Sequence, residues 1–191
     1  MIVKAYFTAS LRGKQSLFSN YQAIVKVLKG MGYQTYSDHI LKEDAAEVAI
    51  KQTEVEKKSF YRQLLSRVKA ADVIVAEISH PSVSVGHEIS FAMDLNKIVV
   101  VLYTEGNGSI LLEGSDDKRL KMVQYDLNNL EKVLAKAIEE AKKEADVRFN
   151  FFVSPKILSY LDWVSQRKML PRSVFLRNLI EREMKKDKEF K

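Results

Sequence analysis

The segment from Ala71 to Tyr103 constrains this chain more than any other. A continuous apolar run, Val73-Ile74-Val75-Ala76, ends in the polar stretch Ser79-His80-Pro81-Ser82. A Gly86-His87-Glu88 triplet then opens an amphipathic helix, and a second apolar run follows at Ile98–Tyr103. Strand, polar loop, helix and strand in that order form the βαβ unit of a parallel sheet, and ligands of such sheets sit at the carboxyl ends of the strands. At that end the chain places a lone carboxylate, Glu88, expected in the first turn of the helix, where the positive end of the helix dipole favours its ionised form. An ionised carboxylate there suits a nucleophile or an acceptor for a sugar hydroxyl. It equally suits a simple helix cap that accepts backbone hydrogen bonds.

The same alternation extends in both directions. Residues 2–7 are predicted as a first buried strand, closed by Thr8-Ala9-Ser10 and the turn Arg12-Gly13-Lys14. Residues 17–29 carry helical apolar spacing (Tyr21, Ile24, Val25, Leu28), ended by Gly30 and Gly32. A short strand at 33–36 leads to Asp38-His39, and 43–70 reads as mostly helical. Beyond the βαβ unit come a Gly/Ser-rich loop at Glu105-Gly106-Asn107-Gly108-Ser109, a short strand at 122–125 and a helix at 127–143. Strands alternating with helices predict a doubly wound α/β sheet of about five parallel strands.

Charge separates the end of the chain from the rest. Residues 1–147 hold 20 basic and 20 acidic side chains, whereas 148–191 hold 11 against 5, so the whole net charge of +6 lies in the last 44 residues. A localised positive excess points to nucleic-acid contact; a solvated helix with a Lys-rich end reads the same way from charge alone. The chain has no cysteine, which excludes disulfides, thiolate metal sites and cysteine nucleophiles and fits a reducing cytoplasm. Its three histidines lack paired metal-ligand spacing, so neither a metal nor a cofactor is expected. The first residues do not read as a signal peptide, and no apolar run approaches the roughly 18 residues of a membrane span.

Three stretches together carry a resemblance: Tyr6-Phe7-Thr8-Ala9-Ser10-Leu11-Arg12-Gly13, then Ala71-Asp72-Val73-Ile74-Val75-Ala76-Glu77, then Pro81-Ser82-Val83-Ser84-Val85-Gly86-His87-Glu88. Over residues 1–140 they resemble the nucleoside 2-deoxyribosyltransferase family, and within it the 2'-deoxynucleoside 5'-phosphate N-hydrolases. The resemblance implies a flavodoxin-like fold, a dimer, and attack of Glu88 on the anomeric carbon of a deoxyribose, by way of a covalent glycosyl intermediate. It further implies a phosphate cradle from Ser10, Arg12 and Gly13, with Ser82 on the same 5'-phosphate and Gly86 in the nucleophile loop. Tyr6 would flank the sugar or base, and Ser109 resembles a phosphate-binding serine donated by a neighbouring subunit. The chain also departs from the family. Leu64 stands where relatives carry an aspartate that positions substrate or shuttles a proton, and Ser84, His87 and Ser90 replace a glycine, an aromatic residue and a glycine. General acid–base help is worth about 10²–10⁴ in rate, so a second reading stays open: a DNA-binding regulator whose α/β domain senses a nucleotide without turning it over.

A boundary is expected near 144–146, giving domains at 1–144 and 147–191. After it, Arg148-Phe149-Asn150-Phe151-Phe152-Val153 alternates like a strand. Ser154-Pro155 starts a helix with the stripe Ile157, Leu158, Leu161, Val164. Leu170-Pro171 breaks the chain before a second helix at 172–185 bearing Val174, Leu176, Leu179 and Ile180. One strand and two short helices cannot bury these faces alone, so the segment calls for a partner, most simply its own copy. These features resemble a ribbon-helix-helix domain, in which paired strands from two subunits enter the major groove. Arg148 and Asn150 would then meet base edges, and Arg172-Ser173, at a helix start, a phosphate. The alternative is a module that only dimerises the protein.

Overall fold

Residues 3–42, 53–144, 151–187 and 189 are described by the computed structural model, which divides into two units, Met1–Asp146 and Val147–Lys191. The first unit is built on strands β1 (Lys4–Ala9), β2 (Gln34–Tyr36), β3 (Val73–Glu77), β4 (Ile98–Tyr103) and β5 (Leu120–Gln124). All their pairings are parallel, in the order β2-β1-β3-β4-β5. That is the flavodoxin-like order, in which the winding reverses between β1 and β3 and a crevice opens outside their carboxyl ends.

Side chains alternate between the two faces along each strand. Ala5, Phe7 and Ala9 of β1 and Val73 and Val75 of β3 pack with α1 (Lys14–Gly30) and α6 (Leu130–Glu144). Tyr6, Ile74 and Ala76 face the other way, onto α3 (Glu54–Ala70) and α4 (Val83–Asp94). The central strands are therefore largely apolar, with Thr8 and Glu77 the buried exceptions, as a sheet covered on both sides requires. Short helices α2 (Asp38–Leu41) and α5 (Ile110–Glu113) fill the connections after β2 and β4.

Helix ends follow local chemistry. A capping box closes the start of α3: Thr53 Oγ1 accepts from Glu56 N at 3.3 Å, and Glu56 Oε2 accepts from Thr53 N at 2.7 Å. At the other end of α3, Lys97 Nζ donates to the carbonyls of Lys69 and Ala71, both at 2.7 Å. The cation thus satisfies carbonyls that have no partner within the helix. Asp72, at the foot of β3, accepts from Lys4 N at 2.7 Å and ties it to the start of β1.

The expected parallel α/β sheet is present, with shifts at element ends. The first strand runs two residues further than residues 2–7 predict, because Thr8 and Ala9 pair with Ala76 and Glu77. Helix α4 begins at Val83 rather than at Gly86. Helix α6 begins at Leu130, after Asp126 Oδ1 accepts from the Asn128 and Asn129 amides at 2.7 and 2.9 Å. Part of the predicted helix at 43–70 lies outside the described residues.

The second unit holds α7 (Pro155–Lys168) and α8 (Arg172–Met184). Ser154 Oγ caps α7 by accepting from Ile157 N at 3.4 Å, Pro155 takes the first helical position, and Met169 ends it in the left-handed region at φ 50°. Phe151, Phe152 and Val153 form no strand, and the rest of the expected strand, with Arg148 and Asn150, lies outside the described residues. A lone strand has no ladder to pair with, and the described residues of this unit offer none. Leu161 and Val164 are buried, while Ile157, Trp163, Leu179 and Ile180 are exposed. No helix among the described residues is long and apolar enough to cross a membrane.

Exchange of Lys97 for Met keeps the stem and removes the cation from the end of α3. The expected loss is about 1–3 kcal/mol, read as a lower urea midpoint at unchanged slope; an unmoved midpoint would show that water serves those carbonyls equally well.

Candidate active site

The loop after β1 is held by its own backbone. Gly13 N donates to Ser10 O at 3.0 Å and Lys14 N to Leu11 O at 3.2 Å, which brings residues 10–13 to the amino end of α1. Gly13 is required by close approach rather than by an unusual dihedral. A Cβ there would lie 2.4 Å from the Tyr21 hydroxyl oxygen and 2.8 Å from His80 Cβ. Ser10 Oγ lies 3.1 Å from His80 Nδ1, joining this loop to the loop after β3. Arg12 stays exposed at the rim.

Glu88 projects from α4 toward the sheet face that carries Tyr6. It is 8 % exposed, and its Oε2 accepts from the Tyr6 hydroxyl at 2.7 Å. The first-turn expectation needs correction. Ser82 is the N-cap, its Oγ accepting from Val85 N at 3.4 Å, so Glu88 falls in the second turn, where the helix dipole has faded. The expected electrostatics reverse as well. Burial pushes the Glu88 carboxyl up, and the Tyr6 hydrogen bond offsets part of that rise.

Tyr6 is wholly buried, and burial together with the Glu88 charge raises its hydroxyl well above the usual tyrosine range. Its oxygen also lies 3.0 Å from His39 Nε2, and the two rings stack with centroids 5.0 Å apart. The single Tyr6 proton goes to Glu88, so His39 must carry its own proton on Nε2 and donate to Tyr6. His39 Nδ1 is then a bare acceptor, buried and without a partner. Burial, with help from the Arg67 cation, lowers His39 to about 4, so the ring is neutral at physiological pH.

These groups frame a cavity of about 500 Å³, whose lining includes Ser10, Arg12, His39, Ser82 and Glu88 together with Phe60 and Leu64 of α3. The structure thus gathers Ser10, Arg12, Ser82 and Glu88 around one space. Tyr6 stands behind Glu88 rather than in the wall. Gly86 and Ser109 line a neighbouring cavity of about 450 Å³, which shares Pro81 and Ser82 with the first. In the second unit Arg172 is ion-paired with Asp162, and Ser173 is exposed. His39, which the sequence offers together with His87 as a substitute for the missing acid, joins the site through Tyr6. A polar side chain just after a short strand was its signal, but only tertiary contact with Tyr6 gives it a role.

The family profile described as nucleoside 2-deoxyribosyltransferase matches residues 5–144. A 5-hydroxymethyl-dUMP N-hydrolase of Danio rerio is 29% identical over 142 residues, covering 72% of this chain and 97% of the relative. The protein of the same name from Homo sapiens is 29% identical over 140 residues, covering 70% of this chain and 78% of the relative.

Stability should register the buried carboxyl. Between the ordinary value of 4.5 and the raised one, folded Glu88 keeps a proton that the unfolded chain has released, so its contribution to stability falls as pH rises. His39 acts in the opposite sense, and its contribution rises with pH between about 4 and 6.5. Glu88→Gln removes the first effect and keeps the second. The variant should melt above the wild type at neutral pH, and the gap should close as pH falls to 4.5. Thermal unfolding followed by circular dichroism across that range checks this; a wild type at least as stable as the variant at neutral pH would contradict it.

Proposed function

We propose that this chain, which belongs to the nucleoside 2-deoxyribosyltransferase family, cleaves the N-glycosidic bond of a 2'-deoxynucleoside 5'-monophosphate with Glu88 as nucleophile. The observation that carries the reading is the Glu88 carboxylate, fixed by Tyr6 at 2.7 Å, in the wall of a cavity that also holds Ser10 and Arg12. The names of the relatives point the same way, because 5-hydroxymethyl-dUMP is itself such a monophosphate.

In the first step a Glu88 oxygen forms a bond to the anomeric carbon as the bond to the base breaks, and the base leaves with the electron pair and takes up a proton. In the second, water or another base attacks the anomeric carbon and frees the carboxylate. Tyr6 occupies one carboxyl oxygen and leaves the other for attack. Burial makes the carboxylate more basic and hence a stronger nucleophile once ionised. Ser10, Arg12 and Gly13, with Ser82 at the amino end of α4, form the cradle for the 5'-phosphate, since backbone donors and a guanidinium together suit a dianion. Gly86 shapes the neighbouring cavity, and Ser109 is the residue that a second subunit would bring. Among the described residues that line the cavity, Glu88 is the only acid, so the leaving base draws its proton from solvent or from its own ring, and turnover is slow.

The second unit serves as a basic dimerisation module that docks on duplex DNA. The charge excess of 148–191 and the exposed apolar residues of α7 and α8 support this. Arg148 and Asn150 would reach base edges and Ser173 a phosphate, while Arg172, paired with Asp162, braces the two helices.

Incubation with deoxynucleoside monophosphates and chromatography of the products tests the chemistry. Free base should appear, and Glu88→Gln should reduce its release by about 10³-fold or more. Unchanged release by the variant would remove Glu88 from the reaction, and monophosphate binding without any release would favour the sensor reading. For the second unit, retention of duplex DNA should weaken steeply with salt and vanish when 147–191 are deleted. No retention at low salt would leave dimerisation alone.

A further inference from the structure

A second buried carboxylate lies on the opposite face of the sheet, and the reaction above makes no use of it. Glu77 ends β3 and is wholly buried. Its Oε1 accepts from Ser79 N at 3.2 Å, from Ser79 Oγ, and from the Tyr125 hydroxyl at 3.4 Å. Ser79 Oγ in turn accepts from Thr104 N at 2.8 Å, just past the end of β4. Tyr21, buried on α1, donates from its hydroxyl to Ser10 O at 3.2 Å, and Ser10 Oγ lies 3.1 Å from His80 Nδ1, next to Ser79. Asn20 Nδ2 donates to the Tyr125 hydroxyl at 3.1 Å. One carboxyl therefore gathers the chain where it leaves β3, β4 and β5, and the Ser10–His80 contact joins the exit of β1 to them. The exits of β1 and β3, residues 10–13 and 79–82, are the loops assigned above to the phosphate.

We infer that Glu77 and Tyr21 are positioning residues for the anion cradle, Tyr21 holding the Ser10–Gly13 loop and Glu77 acting through Ser79 on the loop that carries Ser82. The inference rests on the proposed function for the identity of the anion. Tyr21 fixes the first loop directly. Its hydroxyl holds the Ser10 carbonyl, and the same oxygen fills the space where a Cβ of Gly13 would lie. The loop is thereby pressed into the turn in which Gly13 N reaches Ser10 O. Without the carboxyl, Ser79 and Tyr125 lose their common acceptor, and without the Tyr21 hydroxyl the Ser10 carbonyl loses its donor. The floor of the cradle then shifts while Glu88 and Tyr6, on the far face, stay in place. Tight positioning matters because a cradle of several donors works only when all reach the same group together.

The readout that separates positioning from mere structural support is preference. Tyr21→Phe and Glu77→Met should each lower the ratio of kcat/KM for a deoxynucleoside 5'-monophosphate to that for the same nucleoside without phosphate by about tenfold, as for one lost hydrogen bond to a charged group. The change should fall in KM for the monophosphate. Glu77→Gln, which keeps an acceptor oxygen, should restore most of the preference. An unchanged ratio in both Tyr21→Phe and Glu77→Met, or equal losses on nucleotide and nucleoside, would overturn the inference. Should the wild type release no base from either compound, the catalytic reading fails by itself. Calorimetric titration with the monophosphate then decides the inference: tenfold weaker uptake by the two variants upholds it, and equal or absent uptake by the wild type and both variants overturns it.

Discussion

The hydrogen bond from Tyr6 to Glu88 is the interaction on which the rest of the first unit turns. A carboxylate withdrawn from water this far is costly unless a donor compensates it. The donor here sits on a central strand, within a sheet covered on both faces, where it cannot move without disturbing β2 and β3. His39 closes the arrangement by donating to the same Tyr6 oxygen. The chain therefore folds around a polar trio that weakens the core as packing and is intelligible as chemistry, a stability cost of the kind that active sites commonly carry.

Much of this was legible in the sequence, and the parts that were not share a cause. The βαβ unit, the parallel sheet and both loops follow from apolar runs and turn residues, which are local signals. The cluster of Ser10, Arg12, Ser82 and Glu88 follows from the rule that loops at the carboxyl ends of adjacent strands converge. The ionisation of Glu88 did not follow, because it depends on burial contributed by Tyr6 and α3, far off in sequence. Gly86 looked like the start of a helix, yet Ser82, with a side chain able to cap, was the better signal. His39 gained meaning only through the tyrosine beside it. The strand expected before Ser154 needs a partner strand, and no local pattern supplies one.

The two units differ in how they hold together. The first has apolar side chains on both faces of five strands and balanced charge. The second has, among its described residues, two helices and two buried apolar side chains, and it carries the whole positive excess of the chain. A segment so poor in core has little to hold it by packing alone.

Neighbouring residues of a strand point to opposite sides, and β3 uses that parity to keep two carboxylate systems apart. Ala76 faces the side of Tyr6 and Glu88, and Glu77 faces the side of Tyr21 and Tyr125. One residue gained or lost between Asp72 and Glu77 would transpose them, setting a methyl among the phenols and crowding a second acid against the first. The length of this short strand is thus an inherited constraint in its own right. Insertions that loops elsewhere in the molecule absorb freely would here exchange the contents of the two halves of the protein.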